Sequence, residues 1–79
     1  MTSEAHMHQF LKKVEEQFQE TPSGSLTLET KFKEVAEWGS LVALCIIAMV
    51  DENYGKSITG NELLLCDTIE DIYRVVMSK

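Results

Sequence analysis

The feature that most constrains this chain is a run of 13 residues without a charge, over positions 38–50 of 79. A helix that crosses a bilayer needs about 20 apolar residues, so we interpret this run as a buried helix. A chain of this length buries only about 60% of the surface that its unfolded form exposes, which is enough for one modest core. We therefore expect a single domain over residues 1–79, built around this helix.

This second helix is predicted to begin at Ser40 and to end near Asn53 or Tyr54, because Gly55 provides a stop. Its helical spacing predicts an inward stripe of Leu41, Leu44, Ile47, Val50 and Tyr54. The other faces of the helix are apolar as well. A domain of this size cannot bury a helix on every side, so we expect this one to carry an interaction face.

An amphipathic helix precedes it, and a long connection joins the two. The apolar face of the first helix consists of Met7, Phe10, Leu11, Val14 and Phe18. Thr2 or Ser3 is its predicted cap, and the proline, glycine and serines of residues 21–25 should end it. The connection over residues 21–39 is long for a compact domain, with a helical turn expected near residues 31–36. We expect its apolar residues to fix it to the core: Leu26, Leu28, Phe32, Val35 and Trp38.

Two capping motifs predict two further helices. Thr59 with Glu62 three residues later forms a capping box, which opens a short helix over residues 60–65. Thr68 with Asp71 is a second start signal. The apolar stripe of the helix that follows consists of Ile69, Ile72, Tyr73 and Val76. The sequence therefore predicts an all-α fold, a four-helix bundle with a short third helix and a long loop between the first two helices.

The charge and the cysteine count exclude several classes of protein. Thirteen acidic and seven basic side chains give a net charge of -6, and such a surface repels the phosphates of nucleic acids and of anionic membranes. It favours protein partners with basic faces. Cys45 and Cys66 are too few for the disulfide framework of a small secreted domain, and no signal peptide is visible. We expect a cytoplasmic protein, monomeric by default.

Side chains that could support catalysis or bind a metal are scarce. His6 and His8 are two residues apart and do not face each other on a helix, so we interpret them as solvent-facing residues. Asp51 and Glu52 are adjacent and point to different faces, which is typical of a solvated helix end. Both cysteines are interpreted as small apolar residues. We therefore expect neither an enzyme nor a metal site.

One candidate site remains, where the long connection meets the second helix. There Ser40 follows Trp38 and Gly39 and precedes Leu41. The simplest interpretation is that the Ser40 hydroxyl caps the helix. The same position also suits a serine that carries a phosphodiester, because free N–H groups and the positive end of the helix dipole favour an anion there.

Residues 32–76 resemble the carrier domain of the acyl carrier protein family. The family's attachment motif, Asp-Ser-Leu, corresponds here to Gly39, Ser40 and Leu41 at the start of the second helix. The family's acidic helix end followed by an aromatic residue corresponds to residues 51–55. Ile58 matches its apolar linker residue, and residues 68–72 match the start of its last helix. The joint spacing of these motifs makes the resemblance specific, although each motif alone is weak.

The resemblance implies a covalent carrier that catalyses no reaction itself. A phosphopantetheinyl transferase would attach 4′-phosphopantetheine to Ser40. The arm would hold an acyl group as a thioester for the acyl-loading and acyl-processing enzymes of fatty-acid, polyketide or related biosynthesis. The acyl chain would be sheltered between the second and third helices by residues that are equally candidates for plain core: Ile47, Ile58, Leu63, Cys66 and Ile72.

Two departures from the family pattern matter. Gly39 replaces an aspartate that is expected to help the transferase, and the second helix is apolar where the family exposes carboxylates. We therefore expect a specialised carrier whose partners have a hydrophobic docking site. Its predicted contact surface consists of Val42, Cys45, Met49, Asp51, Glu52 and Glu62. The alternatives are a peptidyl or aminoacyl carrier on the same scaffold, and an unmodified helical interaction module, which Gly39 favours.

Overall fold

The structure, a computed structural model, describes residues 4–22 and 24–79. Within these ranges the chain forms four α-helices and no β-strand: α1, Glu4–Glu15; α2, Ser40–Tyr54; α3, Gly60–Leu65; and α4, Ile69–Met77. A 3₁₀ turn at Phe32–Glu34 lies within the connection between α1 and α2. The predicted all-α fold, with a short third helix and a long first loop, is confirmed. The predicted caps Thr2 and Ser3, and Ser23 of the first turn, lie outside the described residues.

The ends of α2, α3 and α4 lie where the sequence predicts them. The Thr59 hydroxyl accepts a hydrogen bond from the Glu62 N–H at 3.1 Å, and the Glu62 carboxylate accepts one from the Thr59 N–H at 2.9 Å. Thr68 and Asp71 form the same reciprocal pair, at 3.2 and 3.1 Å. Gly55 ends α2 with a φ of +62°, and its N–H donates to the Asp51 carbonyl at 3.1 Å. That left-handed conformation favours glycine.

The core forms where α1, α2 and α4 pack together beneath the long connection. Phe10, Leu11 and Val14 of α1 are buried, and Phe18 is buried although α1 ends before it, at Glu15. The predicted stripe of α4 is confirmed, because all four of its residues are buried: Ile69, Ile72, Tyr73 and Val76. No described helix is long and apolar enough to cross a membrane.

The predicted inward stripe of α2 is wrong in its phase. The residues that α2 buries are Val42, Ile46, Met49 and Val50. Of the predicted stripe only Val50 is fully buried, while Leu41 is 73% exposed and Leu44 is 63% exposed. Ile47 and Tyr54 are half-buried at the edge of the core. Because apolar residues occupy all sides of α2, the sequence supplies no polar face that would fix its rotation.

The long connection is held against the helices by apolar packing and by hydrogen bonds. Leu26 and Phe32 are buried, as predicted. The carboxylate of Glu15, the last residue of α1, accepts a hydrogen bond from the Gly24 N–H at 2.9 Å. At the start of α4, the Glu70 N–H donates to the Leu28 carbonyl at 2.9 Å, and the Ile69 N–H donates to the Thr30 carbonyl at 3.3 Å. The loop thereby satisfies N–H groups that have no partner within α4.

Candidate functional site

Ser40 lies exposed at the start of α2 and is its first helical residue. Helix α2 begins at Ser40 as predicted, but the interpretation that the Ser40 hydroxyl caps it is wrong: Gly39 is the N-cap, with an extended backbone at φ 178°. The Ala43 N–H donates to the Gly39 carbonyl at 3.0 Å, which closes the first turn. Gly39 has no side chain to accept from the first-turn amides, and this turn holds no acidic residue. The positive end of the helix dipole is left available to an anion.

The segment that leads to Ser40 is fixed by contacts of Glu37 and Trp38. The Glu37 carboxylate accepts hydrogen bonds from the Glu20 N–H at 3.0 Å, from the Thr21 N–H at 2.9 Å and from the Thr21 hydroxyl at 2.8 Å. Trp38 packs edge-on against Phe32, with ring centroids 5.0 Å apart. These contacts join the turn that follows α1 to the residues just before α2, so tertiary structure positions the start of α2.

The same hydrogen bonds affect the pKa of Glu37. Partial burial raises the pKa of the carboxyl, but the hydrogen bonds from the Thr21 hydroxyl and from the backbone near Glu20 outweigh it. The pKa of Glu37 is therefore lower than its ordinary value, since these donors stabilise the carboxylate form. The sequence contains no signal for this contact, because the partners are 16 and 17 residues apart along an irregular chain.

A groove opens beside Ser40, between α2 and α3. It has a volume of about 450 Å³ and is open to solvent. We call it the Ser40 groove; the residues that line it are Trp38, Gly39, Ser40, Ala43, Gly60, Asn61, Leu63 and Leu64. Its walls are mostly apolar, with the Asn61 side chain as a polar group. The structure thus places an exposed hydroxyl at one edge of an apolar surface groove.

Most of the predicted acyl-pocket residues lie elsewhere. Ile58, Leu63, Cys66 and Ile72 are buried in the core, and Ile47 is half-buried beside it. Of the five, only Leu63 lines the Ser40 groove. Burial raises the pKa of the Cys66 thiol, with a further contribution from Asp71. The thiol is therefore protonated near neutral pH and is a poor nucleophile.

The predicted contact surface is partly buried. Val42 and Met49 are each only 5% exposed, so the expectation that they form an exposed face is wrong; they point inward because α2 is rotated relative to the predicted stripe. Asp51 and Glu52 are exposed, and Cys45 is half-buried. The carboxylate of the half-buried Glu62 is already paired with the Lys79 ammonium at 2.7 Å, in addition to its capping bond.

The exposed apolar surface consists of residues that sequence reasoning assigned to the core or did not consider. Four large apolar side chains are exposed among the described residues: Leu41, Leu44, Leu64 and Leu65. Their exposures run from 62% for Leu64 to 86% for Leu65. The signal for the α3 pair was present in the sequence: three consecutive leucines on a helix of six residues cannot all face the same core.

The remaining candidate groups do not assemble into a second site. His8 is exposed, as predicted. His6 is exposed as well, but its Nδ1 lies 2.7 Å from the Tyr73 hydroxyl and its ring packs edge-on against Tyr73. Cys45 and Cys66 are free thiols. In the described part of the chain, no group of three or more His, Cys, Asp or Glu side chains is placed to hold a metal ion.

Comparisons with protein-family models, with curated proteins and with solved structures find no significant match to this chain.

Proposed function

We propose that this protein is a carrier that holds acyl groups on a 4′-phosphopantetheine arm attached to Ser40. The observation that carries the proposal is the placement of Ser40: an exposed hydroxyl at the uncapped start of α2, at the edge of an apolar groove. The sequence resemblance to the acyl carrier protein family supports the same residue.

The residues around Ser40 fit a phosphodiester. The hydroxyl is exposed, and the uncapped first-turn amides of α2 offer hydrogen bonds and a positive dipole to the phosphate. On attachment, Ser40 Oγ would bond to the phosphorus that bears the pantetheine of coenzyme A and give its proton to a base of the transferase. The P–O–P bond would break, and adenosine 3′,5′-bisphosphate would leave. The arm supplies a thiol that holds acyl groups as thioesters. In this proposal the chain itself catalyses no reaction; the transferase and the acyl-loading and acyl-processing enzymes do.

The contact surface proposed for those enzymes changes with the rotation of α2. Leu41 and Leu44 replace the buried Val42 and Met49 as its apolar part. Asp51 and Glu52 remain exposed at the far end of the helix and offer negative charge to basic partner faces. Such a surface favours partners with a hydrophobic docking site, and so a specialised carrier. The free thiols of Cys45 and Cys66 suit a reducing cytoplasm.

Intact mass tests the proposal directly. The chain is incubated with a phosphopantetheinyl transferase and coenzyme A, and the mass should rise by that of one phosphopantetheine group. Ser40→Ala should gain nothing. Ser57→Ala, which removes an exposed hydroxyl from the linker before α3, should gain as much as the parent chain. No gain in the parent chain, or an equal gain in Ser40→Ala, contradicts the carrier function.

The two alternatives make different predictions. A peptidyl or aminoacyl carrier would be modified in the same way but loaded by an adenylating enzyme, so loading assays distinguish it. An unmodified interaction module is favoured by Gly39 and by the exposed leucines Leu41 and Leu44, whose contacts need no arm. For that module, Ser40→Ala should leave partner binding unchanged.

A further inference from the structure

The first turn of α2 is held only weakly by the helix itself. Gly39 provides no capping side chain. Ser40 is exposed, Leu41 is 73% exposed, and Val42 is the first residue of the helix that is buried. Helix ends without capping side chains fray, so the hydrogen bond from the Ala43 N–H to the Gly39 carbonyl can open without loss of the fold. The position of Ser40 therefore depends on the residues that precede the helix.

Those residues are tied to the turn that follows α1. The ring of Trp38 lies near that of Phe18, with centroids 6.4 Å apart. One position earlier, Glu37 Oε1 accepts hydrogen bonds from the Thr21 hydroxyl at 2.8 Å and from the Thr21 N–H at 2.9 Å, and the Glu20 N–H donates to the same carboxylate. We call these hydrogen bonds the Glu37 anchor. Hydrogen bonds to a carboxylate are roughly twice as strong as those between neutral groups, so the anchor is a strong tie.

The Glu37 anchor depends on two side chains only. The donors at Glu20 and Thr21 include two backbone N–H groups, which any residue except proline supplies. The remaining donor is the Thr21 hydroxyl, and the acceptor is the Glu37 carboxylate. Both side chains are half-buried, and neither belongs to the buried core. The anchor can therefore be broken by substitution while the core keeps its packing.

Building on the carrier function proposed above, we infer that Thr21 and Glu37 are positioning residues for the modification of Ser40. Thr21 acts through Glu37, and Glu37 holds the first turn of α2 in the conformation that the transferase binds. When the anchor is broken, the first turn is open for part of the time although the chain stays folded. A transferase that binds only the closed turn then has less competent substrate at the same concentration of chain.

The kinetics of modification test this inference. Initial rates of mass gain are measured against the concentration of the chain, with coenzyme A in excess. Glu37→Gln should raise KM for the chain about tenfold and leave kcat nearly unchanged, because the closed turn reacts as before once it is bound. Thr21→Val removes the hydroxyl at nearly constant volume and should raise KM about threefold. Thr21→Ser keeps the hydroxyl and should restore the KM of the parent chain.

Amide hydrogen exchange measures the first turn without the transferase. The Ala43 N–H is protected by its bond to the Gly39 carbonyl. It should exchange about tenfold faster in Glu37→Gln and about threefold faster in Thr21→Val, in parallel with KM. The N–H of Val50, a buried residue further along α2, should exchange as in the parent chain, because only the first turn opens.

Two controls separate positioning from general effects of charge and stability. Glu34→Gln removes the same charge from an exposed side chain of the 3₁₀ turn in the same connection, and KM should not change. Thr59→Ala with Thr68→Ala removes the caps of α3 and α4 and lowers stability. It leaves the Glu37 anchor intact, so KM should not change there either.

The outcomes distinguish the inference from the function on which it rests. A parent chain that gains no mass contradicts the carrier function and the inference with it. If the parent chain gains mass while Glu37→Gln and Thr21→Val keep its KM and its Ala43 exchange rate, only the inference is overturned, since α2 then positions Ser40 by itself. An equal rise of KM in Glu34→Gln or in the cap variant also overturns it. Should Glu37→Gln fail to fold, Thr21→Val decides, because it removes a single hydrogen bond.

Discussion

The start of α2 differs from the starts of α3 and α4. Both α3 and α4 begin with a threonine that is paired reciprocally with an acidic residue three positions later. α2 is the longest of the described helices, yet it begins with Gly39 and no capping side chain. Caps typically contribute about 1 kcal/mol each, so the two shorter helices use a stabilising device that the longest helix lacks.

The difference shows which contacts fix the two ends of α2. Its start is positioned by contacts from outside the helix, through the Glu37 carboxylate and the packing of Trp38 on Phe32. Its end is defined by the left-handed Gly55. The start of α2 therefore needs no capping side chain, and its first-turn N–H groups remain available beside the exposed Ser40. The starts of α3 and α4 thus carry stabilising caps, whereas the start of α2 carries none and exposes Ser40.

The largest expected effect comes from removing both caps together. Thr59→Ala with Thr68→Ala should lower the free energy of unfolding by about 2 kcal/mol, the sum of two typical caps on separate helices. Modification of Ser40 should persist, because neither cap contributes to the start of α2. Urea unfolding and intact mass measure the two effects on one sample.

Ser57→Ala is the matched control, since it removes an exposed hydroxyl between α2 and α3 and should leave the unfolding midpoint in place. If the double variant is as stable as the parent chain, the two capping boxes do not stabilise α3 and α4. If it is destabilised and also loses modification while still folded, the two caps contribute to the environment of Ser40 as well as to stability.

A substitution at the C-terminal end of α2 should lower the free energy of unfolding by less than the loss of both caps. Gly55→Ala places a side chain on a residue with a left-handed backbone and should lower the free energy of unfolding by about 1 kcal/mol. Gly60→Ala is the matched control: it lies in the first turn of α3, and an added Cβ meets no atom within 4 Å. It should be neutral or slightly stabilising, because alanine is a better helix former than glycine. Thermal unfolding of both variants measures the difference.

The same contrast explains which parts of the fold were predictable. In α4, the charged residues Glu70, Asp71 and Arg74 mark the outer face, so the apolar stripe could have only one orientation. In α2 no charge occurs before Asp51, and the spacing alone selected the wrong face. The start of α2 at Ser40 could be predicted because a helix start is a local feature. The Ser40 groove and the Glu37 anchor were not, because both depend on how distant segments meet.

Acid should weaken the capped helices and the segment before α2 alike, because Glu37, Glu62 and Asp71 all have a lowered pKa. Hydrogen bonds from the backbone of Thr68 and then of Asp67 hold the pKa of Asp71 below its ordinary value. Pairing with Lys79, and then the Thr59 backbone, does the same for the pKa of Glu62. A carboxyl whose pKa is lower in the folded than in the unfolded state stabilises the fold above its unfolded pKa. That contribution is lost as the pH falls through the folded pKa.

Stability should therefore fall from about pH 5 downward, and Asp71→Asn should show a shallower decline over that range while being less stable at pH 7. Asp67→Asn, at the exposed neighbouring position, is the control and should keep the slope of the parent chain. Equal slopes for Asp71→Asn and the parent chain would show that this carboxylate does not couple folding to acid.

The smallest effect is expected from giving α2 the cap that it lacks. Gly39 has an extended backbone, which any residue adopts, and an added Cβ meets nothing within 4 Å. Gly39→Asp should therefore fit and stabilise the fold by only a few tenths of a kcal/mol, since glycine is itself a tolerated N-cap. Gly39→Asn caps equally well without the charge and should give the same stability.

The two variants differ in what they imply for Ser40. If the chain is a carrier, Gly39→Asp restores the family's Asp-Ser-Leu motif and should speed attachment of the arm relative to Gly39→Asn at equal stability. The initial rate of mass gain measures this. If neither variant changes that rate, Gly39 is not what limits modification. The contacts of Glu37 and Trp38 then suffice to position Ser40 for the transferase.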